Sequence, residues 1–210
     1  MPELHIEVLP ADQRRLWNLL RTEANFLNGQ GYYLAGGSAL ALQIGHRQSV
    51  DFDFFSSQKE LSSLTEKWLG RFSRVIIRDL DPDTLHAEVE GVKASFISAY
   101  KYPTVGALID AEGIKLAGLI DIGLMKLLAV THRATLRDYI DLAALLRGPV
   151  TLEHLLEASS QKYGQNFNPM PFLRALVTFQ DVDLEMPVLI DRTLETSWQK
   201  ILSAAVKKVS

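Results

Sequence analysis

The 210-residue chain contains no cysteine, which excludes a disulfide framework and any thiolate metal site and suits a reducing compartment. It has little excess charge of either sign. The 22 Lys and Arg against 25 Asp and Glu leave a formal −3, so the whole chain carries no polyanion-binding signature, although a local basic face stays open. No apolar run is long enough to span a membrane, because the longest, IKLAGLIDIGLMKLLAV, is interrupted by Lys115, Asp121 and Lys126. The opening MPELHIEVLP lacks the basic segment and apolar run of a secretory signal, so the expectation is a cytoplasmic protein with no membrane partner. His5, His46, His86, His132 and His154 form no group at metal-ligand spacing. Internal repeats and low-complexity linkers are also absent.

What is present is the composition of a folded domain with a sizeable core, 47% hydrophobic and 22% charged. Leucines at helical spacing predict a helix over Ala11 to Leu27, stopped by Gly29 and Gly31. A short strand, Tyr32 to Ala35, then runs into Gly36-Gly37 and a buried helix from Ser38 to Ile44. Ser49 to Phe55 alternates aspartate with apolar residues and predicts a second strand. Ser57 to Leu69 carries a capping pattern, Ser57 with Glu60, and an apolar face, predicting another helix. Arg74 to Ile77, Thr84 to Val89 and Val92 to Ile97 read as strands, the last two joined by a Glu90-Gly91 turn. From about Ile114 the pattern turns helical: Ile120 to Thr131, Leu136 to Leu146, Leu152 to Tyr163, Pro171 to Phe179 and Leu189 to Val206. The expectation is an α+β half over 1–110 and a helical half over 111–210.

The chemistry concentrates in LAGGSALALQIGHRQSVDFDFF, Leu34 to Phe55. On a strand, Asp51 and Asp53 share one face while Phe52 and Phe54 face the other. Two adjacent carboxylates repel unless one takes a proton or a hard cation such as Mg²⁺ lies between them. A bare Asp-x-Asp is more often the mark of a solvated strand face. Gly36-Gly37 at a strand-to-helix junction lets backbone N–H groups approach a phosphate, with Ser38 adding a hydroxyl; an ordinary turn with Ser38 as N-cap is the plain alternative. Arg47 suits either a phosphate or a bidentate pair with Asp51, and His46 suits a helix C-terminus better than a metal.

This run resembles the Gly-Gly-Ser and Asp-x-Asp signature of the nucleotidyltransferase superfamily, in its AbiEii/AbiGii toxin branch. The segment DIGLMKLLAVTHRATLRDYIDL, Asp121 to Leu142, is similar to the second block of that branch. The resemblance implies a polymerase-β-like nucleotidyltransferase core, a mixed sheet with helices, followed by an α-helical C-terminal domain. It implies Mg²⁺, or Mn²⁺, with a nucleoside triphosphate (NTP) as substrate, RNA or protein as acceptor, and a cognate antitoxin. Asp51 and Asp53 match the metal ligands, and Gly36, Gly37 and Ser38 the phosphate turn. Lys126 matches the triphosphate lysine, and Arg137, Asp138 and Asp141 the Arg-Asp-x-x-Asp helix, with Arg47 added as a phosphate contact and Asp138 as the base that activates the acceptor. Read from spacing alone, Lys126 could snorkel, Asp138 could close a capping box with Thr135, and Asp141 could pair with Arg137. The third carboxylate of the superfamily has no match: its place in VKASFIS holds Ser95, with Glu88 on the preceding strand as a substitute. That departure keeps a second reading open, a catalytically weak protein on the same fold that binds nucleotide or a partner. A sugar-nucleotide transferase using Asp-x-Asp is disfavoured by the short strand–helix alternation.

Overall fold

The computed structural model describes residues 3–57, 61, 68–99, 101–165, 167–183 and 185–209. The expected helix from Ser57 to Leu69 lies mostly outside the described residues. The first expected helix is two, α1 (Ala11–Thr22) and α2 (Ala24–Gly29). They part at Glu23, where the Thr22 hydroxyl bonds back to the Leu19 carbonyl at 2.7 Å and competes with the helical ladder.

A seven-stranded mixed sheet follows, built from β1 (Tyr32–Ala35), β2 (Asp51–Ser56), β3 (Val75–Leu80), β4 (Thr84–Val89), β5 (Val92–Ser98), β6 (Ile109–Ala111) and β7 (Ile114–Leu116). Its order is β3-β4-β5-β2-β1-β7-β6, with β2/β5 and β1/β7 parallel and the other neighbours antiparallel. The hairpin of β6 and β7 stands where apolar periodicity lapses in the sequence. Its turn residues Glu112 and Gly113 both take positive φ, 54° and 98°, the conformation that matches a two-residue hairpin to strand twist. With strands of three residues, no alternation is long enough to read.

Helix α3 (Gly36–Ile44) connects β1 to β2. Five more helices follow the sheet among the described residues: α4 (Leu119–His132), α5 (Leu136–Arg147), α6 (Leu152–Tyr163), α7 (Met170–Ala175) and α8 (Leu194–Val209). In α8, Leu194, Trp198, Leu202 and Val206 are buried at a spacing of four, and Trp198 packs on Tyr139 of α5 with ring centroids 5.6 Å apart. The chain from Leu189 to α8 bends and turns rather than running as helix, because it bonds to the α3–β2 connection: Gln48 N–H donates to the Val188 carbonyl, and Ile190 N–H to that of His46.

Strand β2 alternates as its sequence requires. Phe52 and Phe54 are fully buried, Phe54 stacked on Phe96 at 5.3 Å and Phe52 near Trp17 at 6.2 Å. Asp51, Asp53 and Phe55 therefore share the opposite face. One core cluster takes in residues of the sheet and of the helices after it, so the helical half packs on the same core. The fold is α+β, as expected.

Candidate active site

Register explains why two glycines precede two aspartates. Antiparallel pairing sets Ala35, the last residue of β1, opposite Asp53, so the chain leaves β1 directly beside the Asp53 carboxylate. A Cβ on Gly36 would meet Asp53 Oδ2 at 2.9 Å, and Gly36 has φ of +68°, a conformation that L side chains rarely adopt. A Cβ on Gly37 would collide with Arg47 Nη2. The glycines thus make room for an acid and a guanidinium. Helix α3 begins at Gly36 itself with Ala35 as its N-cap, so Ser38 lies inside the first turn. Ser38 is buried; its hydroxyl hydrogen-bonds the Asp51 carbonyl and lies 2.8 Å from Ser49 Oγ, tying α3 to the start of β2.

Asp51 and Asp53 open onto a polar cleft of about 360 Å³, lined also by Gly37, Arg47, His86, Ser95, Lys126, Arg133, Arg137 and Asp138. Burial, and then the charge of Asp51, raises the Asp53 pKa above the ordinary carboxylate value, against a hydrogen bond from Ser95 and the charges of Lys126 and Arg133. A cation between the two acids would relieve both causes. Two carboxylates fit a Mg²⁺ ion, which keeps waters and shares substrate phosphates, better than a metal that needs a complete protein cage. Among the described residues no group of three or more His, Asp or Glu converges on one point.

Lys126 projects from α4 towards two acids of α5, with Nζ 2.7 Å from Asp138 Oδ1 and 2.5 Å from Asp141 Oδ2. Burial would lower its pKa, but the charges of Asp141 and Asp138 outweigh burial and hold it up. Asp138 takes Arg133 Nε on its other oxygen at 2.9 Å, so its carboxylate does not cap α5, and Thr135 caps without its side chain. Asp141 is fully buried and lies behind the cleft wall. It accepts from Arg47 Nε at 2.6 Å and Nη2 at 2.8 Å, and from His46 Nε2 at 2.7 Å. Burial would raise Asp141, but Arg47 and Lys126 outweigh it and take it well below the ordinary carboxylate range.

The structure therefore gathers Gly37, Arg47, Asp51, Asp53, Lys126, Arg137 and Asp138 around one cleft, sets Gly36 beside Asp53, and buries Ser38 and Asp141. Arg47 pairs with Asp141 rather than with Asp51. Arg137 is exposed at the cleft, away from Asp141. Sequence reasoning missed His86. Residues β4, β5 and β2 form rows across the sheet: Glu88, Lys93 and Asp51, then His86, Ser95 and Asp53, then Thr84, Ile97 and Phe55. His86 Nδ1 lies 3.1 Å from Ser95 Oγ, so serine and histidine occupy the row where a third carboxylate was expected. Glu88 lies one row away and pairs with Arg78 at 2.8 Å. The signal was in the hairpin: Glu90-Gly91 as the turn pairs Val89 with Val92, and three steps back pair His86 with Ser95.

Residues 18–124, a span holding both the glycine turn and the two aspartates, match the family model described as nucleotidyl transferase AbiEii toxin, type IV toxin–antitoxin system. The chain belongs to the AbiEii nucleotidyltransferase toxin family. An uncharacterized protein of Aquifex aeolicus is 33% identical to this AbiEii-family chain over 186 residues, 85% of this chain and 86% of that one. Among solved structures, MenT4, a nucleotidyltransferase toxin from Mycobacterium tuberculosis, superposes with a TM-score of 0.61 at 16% identity, over 95% of this chain and 85% of that one. JHP933 from Helicobacter pylori does so with a TM-score of 0.56 at 17% identity, over 96% and 94%. At such identities the likeness is one of fold, and it covers nearly the whole chain. No helix among the described residues is long and apolar enough to cross a membrane.

Proposed function

We propose that this AbiEii-family protein transfers a nucleoside monophosphate from an NTP to a hydroxyl of a macromolecule, RNA or protein, as the toxin of a toxin–antitoxin pair. The observation that carries the reading is the register of β1 with β2, which sets two carboxylates beside the N-terminus of α3 and opposite Lys126, Arg133 and Arg137. Asp51 and Asp53 would hold Mg²⁺ or Mn²⁺, which when bound draws phosphate oxygens together and neutralises charge developing on them. Gly37 and the first turn of α3 face the phosphates with amide groups, and Lys126, Arg133 and Arg137 supply positive charge. The acceptor oxygen bonds to the α-phosphorus as the bond to pyrophosphate breaks, and the acceptor proton passes to a base.

Asp138 was expected to be that base, but its oxygens accept from Lys126 and Arg133, so its part here is to hold those two cations. With Asp51 and Asp53 assigned to the ion, His86 is the remaining base on the cleft wall among the described residues, and we assign it the proton. His86→Gln is expected to slow transfer by about 10²- to 10⁴-fold with NTP affinity unchanged. Transfer at the wild-type rate in that variant would return the role to Asp138.

The test of the whole reading is calorimetric titration with each of the four ribonucleoside triphosphates, with and without Mg²⁺. It is paired with a search for label moved from the α-phosphate to cellular RNA or protein. Metal-dependent binding of at least one NTP and a labelled acceptor are expected. Binding of none, in either condition, would overturn the reading in favour of a partner-binding protein on the same fold.

A further inference from the structure

A second cavity adjoins the polar cleft, and its chemistry is the opposite. It measures about 340 Å³ and shares two walls with the cleft, Phe55 and Arg133. The rest of its lining is largely apolar and aromatic, from Tyr33 on β1, Met125, Leu128 and Ala129 on α4, and Tyr102 and Tyr163. Met125, Leu128, Ala129 and His132 stand at helical spacing, the next face of the helix that sends Lys126 into the cleft. The charged side chains on its wall have partners already. Lys162 Nζ lies 2.7 Å from Asp121 Oδ1 and donates to the Pro103 carbonyl at 3.1 Å, and Arg133 is paired with Asp138.

Strand β2 joins the two chambers. Along its open face, Asp51 and Asp53 are followed by Phe55 at the same pleat interval, about 7 Å per two residues. Phe55 pairs in register with Tyr33, and the two rings stack with centroids 6.2 Å apart and planes 26° from parallel. On the far side Tyr102 stands edge-on to Tyr163 at 5.5 Å. A ligand whose phosphates lay at the two acids would thus have an aromatic-lined apolar recess one step further along the same strand, with Arg133 at the junction.

We infer that this recess is the nucleobase subsite, and that it holds the base of the incoming NTP between the Tyr33 and Phe55 side and helix α4. The inference rests on the phosphate reading of the polar cleft and adds to it the part of the substrate that gives affinity beyond the triphosphate. A flat, apolar ring with polar edges suits a chamber whose walls offer aromatic surface and no unpaired charge from Lys162 or Arg133, and stacking of this kind tolerates more than one base.

The test uses the full chain with Mg²⁺ and compares inorganic tripolyphosphate with the four NTPs by titration calorimetry, in the wild type, in Ala129→Trp, which fills the recess, and in Phe55→Leu, which removes an aromatic face. At least one NTP is expected to bind the wild type about tenfold or more tightly than tripolyphosphate, the gain that one stacked base supplies. In Ala129→Trp that NTP should fall to the affinity of tripolyphosphate, which itself should not change, and Phe55→Leu should lose part of the same gain. An NTP advantage kept in both variants would overturn the inference while leaving the phosphate reading intact. So would loss of affinity for an oligoribonucleotide without a triphosphate, the NTP advantage persisting, because the recess would then belong to the acceptor. Failure of tripolyphosphate and every NTP to bind the wild type would overturn the phosphate reading and this inference with it.

Discussion

The Asp51→Ala, Asp53→Ala double variant loses Mg²⁺-dependent NTP binding and at least about 10³ in transfer rate, yet melts no lower than the wild type. The activity loss follows from removing both oxygen ligands at once: an ion that stabilises transition-state charge is worth several kcal/mol, and each 1.4 kcal/mol is tenfold. The stability half follows from the site itself. Burial and the neighbouring Asp51 charge already raise Asp53, so in the absence of a cation the ionised pair works against the fold. Deleting it removes a repulsion and cuts no ion pair, since neither acid is in a salt bridge among the described residues. Phe52 and Phe54, which carry the buried face of β2, are untouched. Calorimetry with and without Mg²⁺, a label-transfer assay and a melting curve measure all three quantities. Full metal-dependent binding in the variant would sink the metal assignment, whereas a large drop in melting temperature would make the aspartates structural.

Asp141→Asn should do the reverse, costing stability first. Its carboxylate takes two bonds from Arg47, one from His46 and the Lys126 ammonium, all within buried surroundings. Removing one partner of a buried charge cluster typically costs about 3–5 kcal/mol, because the charges left behind stay desolvated and unpaired. Arg47 is left so here, while Lys126 keeps Asp138 alone, and both line the cleft, so NTP affinity should fall as well. The pH dependence has a definite sign. The folded-state pKa of Asp141 is well below the unfolded value of about 3.9, so its contribution is fully present above that value and is lost as pH falls towards the lower folded value. The stability gap between wild type and Asp141→Asn, read from urea unfolding, should be flat from neutral pH down to about 5 and shrink below about 4. A gap under about 1 kcal/mol at neutral pH would show that the cluster stabilises little.

The sequence places two different roles side by side on α5. In the chain, Asp138 and Asp141 look alike, two acids of one helix after one arginine. In the fold, Asp138 reaches the cleft and Asp141 reaches Arg47, 94 residues away in the chain. The expected partner of Asp141, Arg137 one turn earlier, is instead exposed at the cleft, because helical neighbours pair only when neither has a stronger buried partner. The capping box fails for the same reason: Lys126 and Arg133 offer Asp138 full charges where the helix end offers amide dipoles.

Local rules account for much of the rest. Period-two alternation in DFDFF is sufficient to bury Phe52 and Phe54 and to turn Asp51, Asp53 and Phe55 the other way, since a strand has only two faces. The glycines before α3 were legible as a close approach, though the approaching groups are the Asp53 carboxylate and the Arg47 guanidinium. The β6–β7 hairpin and the non-helical turn before α8 were not legible, because three-residue strands carry no period and such a turn is set by the backbone it bonds to.

By itself, then, the sequence determined the α+β class, the shared face of Asp51, Asp53 and Phe55, and a glycine turn that permits close approach, all consequences of backbone geometry over a few residues. Only the tertiary structure decided that Ser95 and His86 stand in the row of Asp53, that Asp141 gathers Arg47, His46 and Lys126, and that an aromatic recess continues the acidic strand. The physical reason is that the parallel register of β2 with β5 has no turn to set it, and a buried charge takes the partners that packing brings within reach.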